Sequence, residues 1–264
     1  MSPDWPRLFP LEDYRFPMGL RRGNIAAFWH PQDGSGQMVK ERQRWLEKDR
    51  QHYVAELAEA APILQEARAW VQKITTQCEP DWAVLSSGLE GDVDPVLLGG
   101  EVVFPSGWSL PAKLGQPLES VHGPVPGLQT ALGKSISAFL RRVEVGSAWE
   151  RENWGLGADA ELNHHPSRLL PGLTARASLA DTWIRLERQF LTRLPVFKTI
   201  LFGIRVSHHR LEEVARLPRI AAGIIRALET MPDAVAEYKG LLEARVGLVQ
   251  ELQLTVPDAS GSGL

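Results

Sequence analysis

The chain has one cysteine, Cys78, in 264 residues. A single thiol excludes an intramolecular disulfide and any zinc or iron–sulfur site built from several thiolates of this chain. Cys78 also stands outside any CxxCH context, which excludes covalently attached haem. An excess of charge is missing too. The 29 basic and 32 acidic side chains leave a formal net charge of −3, which gives no electrostatic footprint for nucleic acid. No apolar run approaches the ~20 residues needed to cross a bilayer. The N-terminal "MSPDWPRLFPLEDYRFPMGL" carries acids and prolines where a signal peptide needs a continuous apolar core. These absences predict a cytoplasmic protein without nucleic-acid or membrane partners. There is no GxGxxG after a strand, no GxxxxGK[ST], no GxSxG and no HExxH, so neither a bound nucleotide nor the usual hydrolase centres are expected.

What is present is an ordinary globular composition with nine tryptophans, core filler or the walls of a flat apolar site. Residues 1–37 are rich in proline, glycine and aromatics and read as an extended arm. Trp5, Phe9, Phe16, Phe28 and Trp29 are its anchors. Residues 38–252 read as one α+β domain, and 253–264 as a disordered tail. Helical periodicity covers 38–75, with Pro62 opening a second helix, and returns at 117–122, 126–143, 210–228 and 231–252. Strand patterns cover 82–86, 101–105, 182–191 and 199–207. Residues 147–175 read as mostly loop. Strands and helices do not alternate as βαβ units, so the expected fold is a central antiparallel sheet flanked by helices rather than a doubly wound parallel sheet.

Several residues stand out chemically. In "KLGQPLESVHGPVPGL" a stiff Pro/Gly turn holds His122, either as an incidental loop histidine or as a group aimed at a metal. The pairs His164–His165 and His208–His209 are poor chelators, because neighbours on a strand point to opposite faces. In the predicted hairpin, Arg205 is expected to pair with Glu187 across the strands or to meet a ligand carboxylate. The tryptophan-flanked "AWERENW" reads as a lid over an apolar ligand.

Taken together, "GEVVFPSGWSLPAKLGQPLESVHGPVPG" (100–127), "RENW" (151–154), "RLERQFLTRLP" (185–195), "ILFGIRV" (200–206) and "YKG" (238–240), with "RWLEKDRQHYVAEL" (44–57) upstream, resemble the haem-dependent oxidative N-demethylase family. The resemblance spans about residues 14–245. It implies a PAS-like sheet around haem b, and O2-dependent removal of an N-methyl group from a small secondary amine as formaldehyde. Electrons would come from a separate NADPH-dependent flavin and iron–sulfur reductase subunit in a hetero-oligomer. It also gives His122 the role of axial ligand and makes Lys113, Arg188 and Arg205 partners for the haem propionates. Trp108, Trp154 and Phe202 would line the haem, and Arg151 and Asn153 would be the distal, catalytic pair. The sequence departs from the family pattern at Phe190, Gly203 and Ser207, where a small polar residue, a hydroxyl residue and an aromatic are usual. If those positions lie near the haem, a non-catalytic PAS-like haem or apolar-ligand sensor becomes the alternative. A haem-free scaffold within a complex is the third.

Overall fold

The computed structural model describes residues 3–89 and 94–255. Seven strands pair into one antiparallel sheet: β1 (Arg21–Arg22), β2 (Val54–Glu56), β3 (Asp81–Leu85), β4 (Leu97–Glu101), β5 (Trp149–Gly157), β6 (Trp183–Arg193) and β7 (Ile200–Arg210), in the order β1-β5-β6-β7-β3-β4-β2. Eleven α-helices accompany it among the described residues, so the fold is α+β around a single antiparallel sheet. The β-branched and aromatic runs of β6 and β7 form its longest ladder, eleven pairs from Trp183↔Arg210 to Arg193↔Ile200.

Several expectations need correction. Val54–Glu56, inside the span 38–75 read as helical, form β2. Residues 147–175 are not mostly loop, because "WERENWGLG" forms β5 along the whole of β6. Its alternating charges hid the strand: they are polar on both faces, so no apolar period marks it. The strand expected at 101–105 lies at Leu97–Glu101, because Asp81 captures the backbone N–H groups of Val103 and Phe104, both at 2.8 Å, and ends the pairing. In the β6–β7 ladder Glu187 faces Val206 and Arg188 faces Arg205, so there is no Glu187–Arg205 pair. The two long C-terminal helices are four: Leu211–Ala215, Pro218–Thr230, Asp233–Tyr238 and Arg245–Thr255. The last of these makes 253–255 helical, and 256–264 lie outside the described residues.

Side chains alternate along a strand, so these registers sort the central residues onto two faces. One carries Phe190, Gly203, Arg188, Arg205, Glu150 and Trp154. Residues 3–37 contain helices Trp5–Leu8 and Ile25–Trp29 as well as β1, and they pack on this arm face. Phe28 stacks on Phe190 with centroids 4.8 Å apart. The contact requires Gly203, where a Cβ would fall 2.7 Å from the Phe28 ring and 3.0 Å from that of Trp29. Arg188 and Arg205 flank the Phe28 ring at 5.5 and 5.6 Å and hold the arm in place. Arg188 Nε donates to Glu150 at 2.6 Å. Arg205 pairs with Glu79 and donates to the carbonyls of Phe28 and His30. Trp154 packs on Phe9 beneath the C-terminal helices.

Helices Leu110–Lys113, Leu118–His122 and Leu128–Arg142 lie over part of the opposite face, packing Leu110, Leu118 and Leu140 against Ala83, Leu191 and Ile200. Arg193, buried at the end of β6, donates to the carbonyls of Leu140, Val143, Ser87 and Lys198. It thereby satisfies the C-terminal end of the helix Leu128–Arg142, where a cation is favoured.

Candidate functional site

The second face is incompletely covered. Arg151 and Asn153 on β5, Glu187 and Gln189 on β6, and Phe202 on β7 occupy the middle of the sheet, yet all five remain partly exposed. At Gly155, on the same face of β5, an added Cβ would meet nothing within 4 Å. The helical layer therefore leaves a groove over the centre of the sheet.

The rim is held rigidly. Asp81 binds the start of the "VFPSGW" segment, as described above. Arg185, buried beneath it, donates to the carbonyls of Phe104 (2.9 Å), Leu162 (2.9 Å) and Glu161 (3.1 Å) and to Ser106 Oγ (2.8 Å). Its third kind of partner is His208 Nε2 at 3.1 Å. Burial, followed by the charge of Arg185, pushes the His208 pKa down to about 3, so the ring is neutral and accepts this N–H. The segment ends at Trp108, which packs on both apolar clusters beside Phe202.

His122 closes the helix Leu118–His122, which starts after Pro117 and stops at Gly123. The His122 carbonyl accepts from Val125 N at 2.9 Å, and Lys113 Nζ reaches over the same turn to the Val121 carbonyl at 3.2 Å. Burial depresses the His122 pKa, helped by the cations Arg151 and Lys113, while Asp94 opposes them. The imidazole is therefore neutral near pH 7 and has a free lone pair. No ring nitrogen of His122 takes part in a hydrogen bond among the described residues.

The groove also holds two opposite charges that do not meet. Arg151 makes no hydrogen bond or ion pair among the described residues, and its Nε is buried without a partner. Burial lowers its pKa and Glu187 raises it. Glu187 has no ion-pair partner there either. Its Oε1 accepts from Ser106 Oγ and its Oε2 from Gln189 Nε2 at 2.9 Å. Lys239 enters from the β5 edge, donating to the Trp154 carbonyl at 2.7 Å. Burial brings its pKa down to about 8. An unpaired guanidinium in a half-buried sheet face costs stability, which sets this arrangement apart from a structural ion pair and makes it the candidate site.

The structure thus brings together His122, Lys113, Trp108, Phe202, Arg151 and Asn153. It separates them from Arg188, Arg205 and Trp154, which lie on the arm face and are engaged there. Phe190, Gly203 and Ser207 fall on the arm face as well. The seating of Phe28 accounts for Phe190 and Gly203, while Ser207 is exposed beside His209 Nε2 at 3.1 Å. Ser106, Glu187, Gln189, Gly155 and Lys239 belong to the groove but were not expected in it. Their signal was the period-2 register between "RENW" and "LERQ", which needs β5 to be recognised first.

The hollows of about 460 Å³ beside Arg22, Asn24 and Gly146 and of about 530 Å³ beside Asp33, Lys40 and Arg44 lie elsewhere on the surface and contain none of these residues. No three His, Cys, Asp or Glu side chains among the described residues are grouped to chelate a metal. His122 offers one nitrogen, which is the donor set of an axial ligand rather than of a protein-only metal site. A family model described as haem-dependent oxidative N-demethylase, alpha subunit-like, matches residues 37–248.

Proposed function

The chain belongs to the haem-dependent oxidative N-demethylase, alpha subunit-like family, and from this we propose that the groove binds haem b and serves oxidative N-demethylation of a small secondary amine. The observation that carries the proposal is Arg151, a half-buried guanidinium whose buried Nε has no partner among the described residues, beside a neutral imidazole and open space. A flat apolar group bearing carboxylates fits those needs. His122 would supply the axial nitrogen, Trp108 and Phe202 the apolar walls, and Arg151 and Lys113 the cations for the propionates. Asn153 is the uncharged polar group left to face substrate. When bound, haem supplies the activation of O2 that removes an N-methyl group as formaldehyde.

Electrons would arrive from a separate NADPH-dependent flavin and iron–sulfur reductase subunit in a hetero-oligomer, because this chain has neither a dinucleotide fingerprint nor more than one thiol. A cytoplasmic location and a PAS-like sheet are part of the same proposal. No helix among the described residues is long and apolar enough to cross a membrane. The sensor alternative keeps as its motive the lack of a reductase in the chain, while Gly203 and Ser207, the departures that also suggested it, lie on the arm face.

The test is the spectrum of the purified protein, oxidised and then reduced with CO. A Soret band is expected, with formaldehyde formed from dimethylamine when a surrogate reductant is added. A protein that shows no Soret band when expressed with haem supply sinks the proposal. Arg151→Met gives a sharper prediction. Removing a charge-assisted partner should weaken haem retention by roughly 10- to 100-fold. Because the guanidinium is unpaired among the described residues, the melting temperature of the haem-free protein should hold or rise. Parallel haem titration and thermal melting check both halves.

A further inference from the structure

Glu187 is an anionic groove residue to which haem binding gives no task. Arg151 and Lys113 are matched by two propionates in the reading above, and His122 by the iron. Glu187 remains a carboxylate in a half-buried groove, on the central strand β6, with no cation of the chain paired to it among the described residues. It is also held still. The Ser106 hydroxyl accepts from Arg185 Nε at 2.8 Å, so its own proton goes to Glu187 Oε1. Gln189 Nε2 supplies the second bond, to Oε2 at 2.9 Å. Arg185 is in turn fixed by backbone carbonyls, so the carboxylate is braced through two layers. A carboxylate offers about four lone-pair positions. Among the described residues two are filled and two are without a donor. Asn153 stands directly across from Glu187 on β5, and Gly155, with open space over it, is the diagonal neighbour.

We propose that Glu187 anchors the substrate as its ammonium ion, and that its two vacant acceptor positions favour an ammonium with two N–H donors to fill them, as a secondary ammonium has, over tertiary and quaternary ones. The proposal rests on the haem-site reading and adds to it the residue that sets substrate charge and degree of substitution. A tertiary ammonium has one N–H and a quaternary ammonium has none, so the groove should rank them in that order. Lys239 does not fulfil this role. Its Nζ is committed to the Trp154 carbonyl, and it lies close enough for Glu187 to raise its pKa without forming an ion pair.

The test uses the purified full chain as obtained, with haem content read from the Soret band of each sample. Dimethylammonium, trimethylammonium and tetramethylammonium chlorides are titrated by calorimetry into wild type, Glu187→Gln and Glu187→Asp. Glutamine keeps the size of the side chain and an oxygen for Ser106, and far-UV dichroism and melting check that the variants fold. Wild type is expected to prefer dimethylammonium over trimethylammonium and trimethylammonium over tetramethylammonium. Glu187→Gln should weaken dimethylammonium by roughly 10- to 100-fold, the worth of a charge-assisted bond, and flatten the ranking. Glu187→Asp should recover part of it. Equal affinities in wild type and Glu187→Gln, or no binding of any of the salts to wild type, would overturn the proposal. The Soret band reports separately on the haem. Its absence counts against the haem reading, while the same titration on the haem-free protein still decides whether Glu187 holds an ammonium.

Discussion

Purified His122→Ala protein is expected to lose its Soret band or show it strongly shifted, with the helical signal unchanged. The competing histidines are already engaged or turned away. His208 accepts from Arg185, and His209 lies on the arm face against Trp5 and Ser207. His164 is bonded to Asp159 at 3.0 Å, and His165 to Ser167 at 2.8 Å. His52 pairs with Asp49, and His30 sits exposed on the arm. His122 combines a neutral ring, a free lone pair and a place in the groove. Loss of an outer-sphere partner of a metal ligand costs roughly 10- to 100-fold in affinity, and loss of the ligand itself should exceed that. The backbone of the turn is set by Pro117, Gly123 and the Val125–His122 bond, none of which needs the imidazole. Free imidazole added to the variant should restore the band by filling the vacated position. A wild-type spectrum in the variant would remove His122 from the site.

Asp81→Ala should be the most destabilising single change, by about 3–5 kcal/mol, the cost of breaking one side of a buried ion pair. Asp81 is buried at 1% exposure. It pairs with the buried Arg42 and accepts from two backbone N–H groups. Arg42 would keep Glu101, at 2.7 Å, as its one carboxylate. Against a total of roughly 5–15 kcal/mol for a domain, the loss is large and should appear as a fall in the denaturation midpoint. Combining Asp81→Ala with Arg42→Met should recover part of it, because no charge is then stranded. Recovery should stay incomplete, since the N–H groups of Val103 and Phe104 remain unpaired. Haem retention should fall as well, because these bonds set the start of the segment that ends at Ser106 and Trp108. A midpoint close to wild type would mean that Asp81 is not an anchor.

The "FPSGW" and "VHGPVPG" segments were legible because proline and glycine mark turns locally, and β6 and β7 because their apolar runs are strong. Strand β5 was missed for the opposite reason. Glu150 and Glu152 answer Arg188 and Arg21 on one face, and Arg151 and Asn153 face the groove on the other. Charge on both faces looks like loop until the partners are known. The partners of Arg188 and Arg205 are hidden by the same limit. An arginine in a strand shows that a carboxylate is wanted, and here the carboxylates are Glu150 and Glu79, the latter 126 residues away.

The sequence alone thus determined the class of the fold, the family, the near balance of acidic and basic side chains and the stiffness of the turn that carries His122. All of these depend on local chemistry or on short-range pattern. Alternation along a strand also determined that Arg205 and Phe202 must face opposite ways. Only the tertiary structure decided which of those faces the N-terminal arm covers and which stays open. Coverage depends on how distant elements pack: Phe28 settling into the space at Gly203 closes one side of the sheet, and the short helices that stop at His122 leave the other open above Arg151, Gly155 and Glu187.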